Sequence, residues 1–180
     1  MASPNSLKLE SLTLEDNVAL TSLWFAAFTA PELQKVFPNT PGFVDTENKD
    51  ENGRPRIAAY AKWDLSMPEE RGRRYPPWHA EMPGEMCEAF FLMEEENRRR
   101  VMGGRKHYYL DTVATHPDYQ RRGCGSMLVK WGCDLADSEG VSAYGDASKD
   151  GAPLYAKYGF VDYSNPGEDI ASMARFFKEA

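Results

Sequence analysis

Cysteine is scarce in this chain, and what there is does not pair. Cys87, Cys124 and Cys133 are an odd set with no CxxC motif, which argues against a disulfide framework and for free thiols in a reducing compartment. His79, His107 and His116 are the only histidines, and none has a partner at metal-ligand spacing, so no metal is expected. Basic residues are also in deficit, 21 Lys+Arg against 28 Asp+Glu for a net charge of −7. That balance disfavours nucleic acid or an anionic membrane as a partner, because phosphate binding needs a basic surface. Long apolar runs are absent too. The longest, "VALTSLWFAAF", is about half of the ~20 residues a membrane span needs. The opening "MASPNSLKLESL" has no apolar stretch of the kind a secretory signal requires, so a cytoplasmic protein is expected.

With no internal repeat and no linker, the 180 residues are expected to form a single domain, 1–180. "SLKLESLT" alternates apolar and polar residues and predicts a first strand. Thr13 followed three residues later by Asp16 predicts a helix start. The helix runs to about Phe28, with Leu14, Val18, Thr21, Phe25 and Phe28 on one side. "GFVDTEN" and "RIAAYAKWDL" around "KDENGRP" predict a β-hairpin. A proline-rich loop follows, then a helix over "GEMCEAFFLMEEENRRRVM" with Met86, Phe90, Met93 and Asn97 on one face. Its pairs Glu94–Arg98, Glu95–Arg99 and Glu96–Arg100 stand at i,i+4, each worth roughly 0.3 kcal/mol, and predict a solvated face. "HYYLDTVAT" predicts a strand, and "GCGSMLVKWGCDLADSEG" a helix with Cys124, Leu128, Trp131 and Leu135 in register and Gly140 as its stop. "VSAYGDA", "FVDY" and "ASMARFF" predict strands, with a short helix over "DGAPLYAKYG". The order predicts an α/β (α+β) fold with a mixed sheet of about six or seven strands flanked by helices. It also predicts a helical insert, about 66–106, between the third and fourth strands.

The stretch "ATHPDYQRRGCGSML" concentrates positive potential in an acidic chain. A helix start leaves backbone N–H groups unpaired at the positive end of the macrodipole. Gly123 and Gly125 let an anion approach that backbone, and Arg121 and Arg122 add formal charge. A Walker loop is excluded because no lysine follows the second glycine. A dinucleotide fingerprint is excluded because position 128 is leucine.

Q-x-x-G-x-G in "THPDYQRRGCGSMLVKWG", followed some thirty residues later by "APLYAKYGF", resembles the GNAT superfamily of acetyl-coenzyme A-dependent N-acetyltransferases. "AKW", "ATHPDYQRRG" and "LYAKYGF" are similar in wording to the branch common in filamentous fungi. The resemblance spans roughly 7–177, with 107–160 the specific part. It implies acetyl-coenzyme A as cosubstrate, its pyrophosphate held by Gln120, Arg121, Arg122, Gly123, Cys124, Gly125 and Ser126, mainly through main-chain N–H groups. It implies that the backbone of Val113 and Thr115 pairs with the pantetheine arm where two strands part. Ser148 stands where many relatives carry Asn, so a hydroxyl replaces any amide contact there. Tyr155 matches the tyrosine near the coenzyme sulfur, a general acid by resemblance and a core residue otherwise.

The acceptor amine must lose a proton before it attacks. Period-two alternation sets His107, Tyr109, Asp111, Val113 and Thr115 on one face of their strand. Asp111 is the first candidate base and His107 the second, with a surface ion pair the other role open to Asp111. Cys124 lies in the phosphate turn, so direct transfer without an acyl-cysteine is expected. By the resemblance the acceptor site draws on the first helix, the insert and the last strands. There Trp24, Phe28, Trp63 and Trp78 would bind a small, partly apolar or aromatic amine, and the protein is expected to be a monomer or homodimer. A catalytically silent coenzyme-binding regulator and a protein or peptide N-acetyltransferase are the alternative functions.

Overall fold

The strand "HYYLDTVAT" is the axis of the structure: aromatic and β-branched residues leave it few helix formers, and it is buried along most of its length. The computed structural model describes residues 9–29, 57–66, 70, 77, 78, 80 and 82–178. Within them lie helix α1 (Asn17–Ala27), β1 (Ala59–Asp64), α2 (Gly84–Met102), β2 (His107–Thr115), α3 (Cys124–Ser138), β3 (Ser142–Ser148), α4 (Ala152–Ala156), β4 (Val161–Asp162) and β5 (Ile170–Arg175). The sheet order is β1-β2-β3-β5-β4. β2 and β3 run parallel, and the other neighbouring pairs are antiparallel.

The five strands among the described residues are fewer than expected. Residues 9–13 carry no strand, and Leu9 and Leu12 are exposed, so alternation alone did not supply a pairing partner there. The first arm of the expected hairpin, 42–48, lies outside the described residues, whereas its second arm is β1. No helix among the described residues is long and apolar enough to cross a membrane.

Two cores form on the two faces of the sheet. On one face Leu110, Ala143, Ala147, Ala171 and Met173 meet Val129 and Cys133 of α3, Tyr155 of α4 and Phe160. On the other, Tyr109, Tyr144 and Ala174 meet Met102 and Val101 of α2 together with Phe176. Three helix faces differ from the expected ones. In α1 the buried residue is Leu23, while Leu14 is 86% exposed and Val18 is exposed. In α2 the buried line is Cys87, Glu94, Arg98 and Met102, and Met86 and Met93 point outward. In α3 it is Cys124, Val129, Gly132, Cys133 and Ala136, and Trp131 is exposed. The cause in α3 is steric: Trp63 of β1 lies flat against the helix, and a Cβ at Gly132 would stand 2.1 Å from its ring. The small residues of α3 therefore face the sheet and the large ones flank it.

The helix ends follow local rules. The Thr13 backbone N–H and hydroxyl both donate to the Asp16 carboxylate, at 2.8 and 3.1 Å, and the chain enters α1 through a 3₁₀ turn, Leu14–Asp16. Gly140, at φ +67°, stops α3, with the Val141 N–H reaching back to the Ala136 carbonyl at 2.8 Å.

Candidate functional site

β2 and β3 pair only from His107–Ser142 to Leu110–Gly145. Beyond that point β2 continues to Thr115 beside β1 and β3 continues to Ser148 beside β5, so the two parallel strands part. Backbone on the facing edges of the opening has no ladder between them, and an extended ligand can supply one.

Helix α3 starts at the mouth of this opening. Arg121 (φ +61°) and Gly123 (φ +89°) adopt left-handed backbone, which turns the chain sharply into the helix. The first turn carries its N–H groups outward, since the helical ladder begins only at Met127, bonded to the Gly123 carbonyl at 3.0 Å. Nothing lies within 4 Å of a Cβ built at Gly123, so the space in front of this turn is open. Gly125 has a different reason to be glycine: a Cβ there would meet Leu154 at 3.2 Å and the Thr115 hydroxyl at 3.6 Å. It seats α3 against α4 and β2, where the sequence suggested room for a ligand. The Arg122 guanidinium lies 5.4 Å from the centre of the Tyr119 ring. The Cys124 thiol is buried and directed to the Tyr119 carbonyl at 3.6 Å. The Gln120 amide lies 3.5 Å from the Thr115 carbonyl, and Ser126 is in the first turn of α3. Ser148, at the far edge of the opening, accepts the Gly151 N–H at 3.1 Å, which keeps its hydroxyl hydrogen available.

The face-sharing expected along β2 fails at one residue. Lys62 pairs with Thr112 but Trp63 pairs with Leu110, so Asp111 is a bulge. The extra residue reverses the alternation. His107 and Tyr109 face α2, whereas Val113 joins Leu110 in the α3-side core and Thr115 turns toward Gly125. Asp111 sits at the bulge with its side chain 3% exposed, paired to Lys62 at 2.5 Å. Burial, and then the Asp111 charge, raises the Tyr60 phenol above its ordinary range. His107 is buried at the closed end of the strand, its Nδ1 2.6 Å from the Arg105 carbonyl. Four residues of strand, about 13 Å, separate it from Asp111, so the structure does not bring the two candidate bases together.

Tyr155 projects from α4 onto Gly145, the last paired residue of β3; a Cβ at Gly145 would stand 3.0 Å from the Tyr155 ring. It is buried and lies edge-on to Phe160 at 5.5 Å. Burial, followed by the charges of Asp146 and Glu94, raises its phenol above the ordinary value. That makes it a weaker acid than free phenol, and one that stays protonated at neutral pH.

Two acids here escaped the sequence reading. Asp146, the first residue of β3 past the last rung, accepts the Tyr109 hydroxyl at 2.9 Å and the Tyr144 hydroxyl at 2.8 Å. Glu94 is 7% exposed in α2, and its charge acts on both Tyr144 and Tyr155. The signal for Glu94 was the spacing Cys87, Glu94, Arg98, Met102, a helical stripe one step from the one read. For Asp146 it was an acid alternating in phase with Tyr144 inside an otherwise small and apolar strand.

The aromatic residues expected to bind an acceptor separate into groups. Trp24 packs on Phe25 and Phe28 at 5.2 and 4.9 Å in α1, and α1 lies against β2. Trp78 stacks on Phe91 of α2 at 5.3 Å and donates to Glu88 at 3.0 Å. Trp63 does not belong with them: it is wedged under α3 and donates its Nε1–H to the Leu128 carbonyl at 3.3 Å. Among the described residues no cluster of His, Cys, Asp and Glu could hold a metal ion.

Residues 79–162 match the family described as the acetyltransferase (GNAT) domain. The whole fold is similar to solved acetyltransferases. Arylalkylamine N-acetyltransferase 2 from Aedes aegypti superposes with a TM-score of 0.68 at 13% identity, over 97% of this chain and 100% of that one. A protein from Corynebacterium glutamicum described as histone acetyltransferase HPA2 and related acetyltransferase gives 0.55 at 22% identity, over 94% and 95%. The ribosomal-protein-S18-alanine N-acetyltransferase from Escherichia coli gives 0.51 at 20%, over 95% and 94%. No curated protein sequence matches significantly. The fold is the GNAT fold, with a mixed five-stranded sheet among the described residues.

Proposed function

We propose that this protein transfers an acetyl group from acetyl-coenzyme A to the primary amine of a small, partly apolar molecule, by direct attack. The observation that carries this reading is the parting of β2 and β3 above Leu110 and Gly145, at whose mouth α3 begins from the left-handed Gly123. When bound, acetyl-coenzyme A supplies the activated acetyl group. Val113 and Thr115 offer backbone to the pantetheine arm. The outward N–H groups of Cys124, Gly125 and Ser126, with Arg121, Arg122 and Gln120 beside them, receive the pyrophosphate. Ser148 lines the far edge. Tyr155, over the last rung, holds a proton for the departing sulfur.

A small acceptor is favoured by the aromatic groups around Trp24 and Phe28 on α1 and around Trp78 at the start of α2. The likeness to an arylalkylamine N-acetyltransferase supports it; the likeness to a ribosomal-protein acetyltransferase keeps a peptide amine as the second reading. Of the two candidate bases, Asp111 stands beside the opening, whereas His107 lies at the closed end.

The test is thiol release from acetyl-coenzyme A with arylalkylamines, polyamines, aminoglycosides and peptide N-termini, for the native protein and Tyr155→Phe. Turnover with one class, reduced ~10²-fold or more in the variant, is the expected result. Coenzyme binding without turnover on any amine would favour a silent binder, and absence of binding would refute the reading.

A further inference from the structure

The geometry points to Asp146 as the group that receives the acceptor amine and takes its proton, an inference that rests on the acetyl-transfer reading above. Three observations converge on it. First, its position: Gly145 is the last rung between β2 and β3, and Asp146 is the next residue, at the apex of the opening. Secondly, its face. Residues alternate along β3, so Tyr155 covers Gly145 from the α3–α4 side while Asp146 turns to the α2 side with Tyr144. A group held at the apex would have a proton donor on one face of the sheet and a carboxylate on the other. Thirdly, its mounting. Both carboxylate oxygens are held by phenol hydroxyls, Tyr109 at 2.9 Å and Tyr144 at 2.8 Å. The Arg98 guanidinium lies over the Tyr109 ring at 5.1 Å.

The surroundings are polar on a face that should otherwise be apolar. Ser172, directly across from Asp146 in β5, is fully buried, and its hydroxyl acts on the same Tyr144 phenol that Asp146 holds. Among the described residues Tyr109 and Tyr144 bond to Asp146 and its charge reaches Tyr155; Glu94 of α2 acts on Tyr144 and Tyr155, Arg98 of α2 lies over Tyr109, and α1 has no charged residue. With Glu94 nearby, this neighbourhood favours an acceptor that arrives as a cation and disfavours one bearing a carboxylate next to its amine.

One ammonium proton passes to the Asp146 carboxylate. The freed nitrogen pair forms the C–N bond to the acetyl carbon, and the C–S bond breaks. The departing sulfur takes a proton from Tyr155, the second proton shed by nitrogen restores that phenol, and Asp146 releases the first proton to solvent. Asp111, already paired with Lys62, is then not required as the base.

The experiment compares the native protein with Asp146→Asn, Asp146→Glu and Tyr109→Phe. Acetyl-coenzyme A binding is read by calorimetry, and thiol release is read with phenylethylamine, a polyamine, a neutral hydroxylamine and an amino acid. The expected result is unchanged coenzyme affinity in all variants, with kcat/KM for phenylethylamine down ~10²–10⁴-fold in Asp146→Asn. Partial recovery is expected in Asp146→Glu, and an intermediate loss in Tyr109→Phe. The deficit should shrink for the neutral acceptor and as pH rises, since fewer amine molecules then need deprotonation. Native-like kcat/KM in Asp146→Asn would overturn the inference and leave acetyl transfer standing. A native protein that binds no coenzyme, or binds it and acetylates no amine, would overturn both.

Discussion

Replacing Gly132 by alanine tests the packing that holds β1 against α3. A Cβ at this position would lie 2.1, 2.3 and 2.6 Å from three atoms of the Trp63 indole, so helix or ring must yield by about 1.3 Å to reach a normal carbon–carbon separation. The ring has little freedom, because its Nε1–H is bound to the Leu128 carbonyl one turn earlier in the same helix. Overpacking of this kind costs ~1–3 kcal/mol, and loss of the indole hydrogen bond about 1 more. The better helix propensity of alanine returns about 1. The net expectation is a loss of about 2 kcal/mol, which for a domain of this size lowers Tm by roughly 4–8 °C. Differential scanning calorimetry reads this directly, and a cycle with Trp63→Ala isolates its origin. With the indole gone, Gly132→Ala should become neutral or stabilising. A Gly132→Ala protein as stable as the parent, or one equally destabilised without the indole, would refute the steric account of why the small residues of α3 face the sheet.

Two other outcomes follow from the same structure. Arg175 grips Asp137 through two 2.7 Å bonds and holds its carboxyl below the ordinary carboxylate range. A depressed folded value contributes stability above the unfolded value of about 3.9, which is lost as pH falls through the folded one. Asp137→Asn should therefore lower the urea midpoint at pH 7, by no more than ~1 kcal/mol for so exposed a pair. The difference from the parent should close as acid protonates Asp137 in the folded protein. In α1, Leu23→Ala should cost ~2–5 kcal/mol and Leu14→Ser less than ~0.5; equal effects would mean that the helix face is misassigned.

The strand and helix order from β1 onward was legible because each element carries its own signal: aromatic and β-branched content in β2, a glycine stop after α3, a proline within the first turn of α4. The helix faces were less so. In α2 and α3 the residues in contact with the sheet include Glu94, Arg98 and Gly132, which hydropathy counts as solvent-facing or neutral. Their burial depends on partners from distant strands, Tyr109 and Trp63. The bulge at Asp111 was invisible for a related reason. A bulge is a property of two strands in register, and "HYYLDTVAT" alone reads as unbroken alternation. The sharp turn into α3 was readable from its glycines, but only the geometry separated Gly123, which opens space, from Gly125, which closes it.

The ladder between β2 and β3 has four rungs, all at one end, so the two strands have the outline of a pair of shears. The rungs, with the Tyr109 and Tyr144 rings 5.8 Å apart beside them, form the pivot. From Leu110 to Thr115 the blade is about 17 Å long at the usual strand rise, so each degree of rotation at the pivot moves the tip by ~0.3 Å. Gape at the mouth is thus governed from the closed end, by residues that no ligand in the opening would need to touch. A ligand that zips both edges would act as a brace across the blades, converting a hinged pair of half-sheets into one continuous plate.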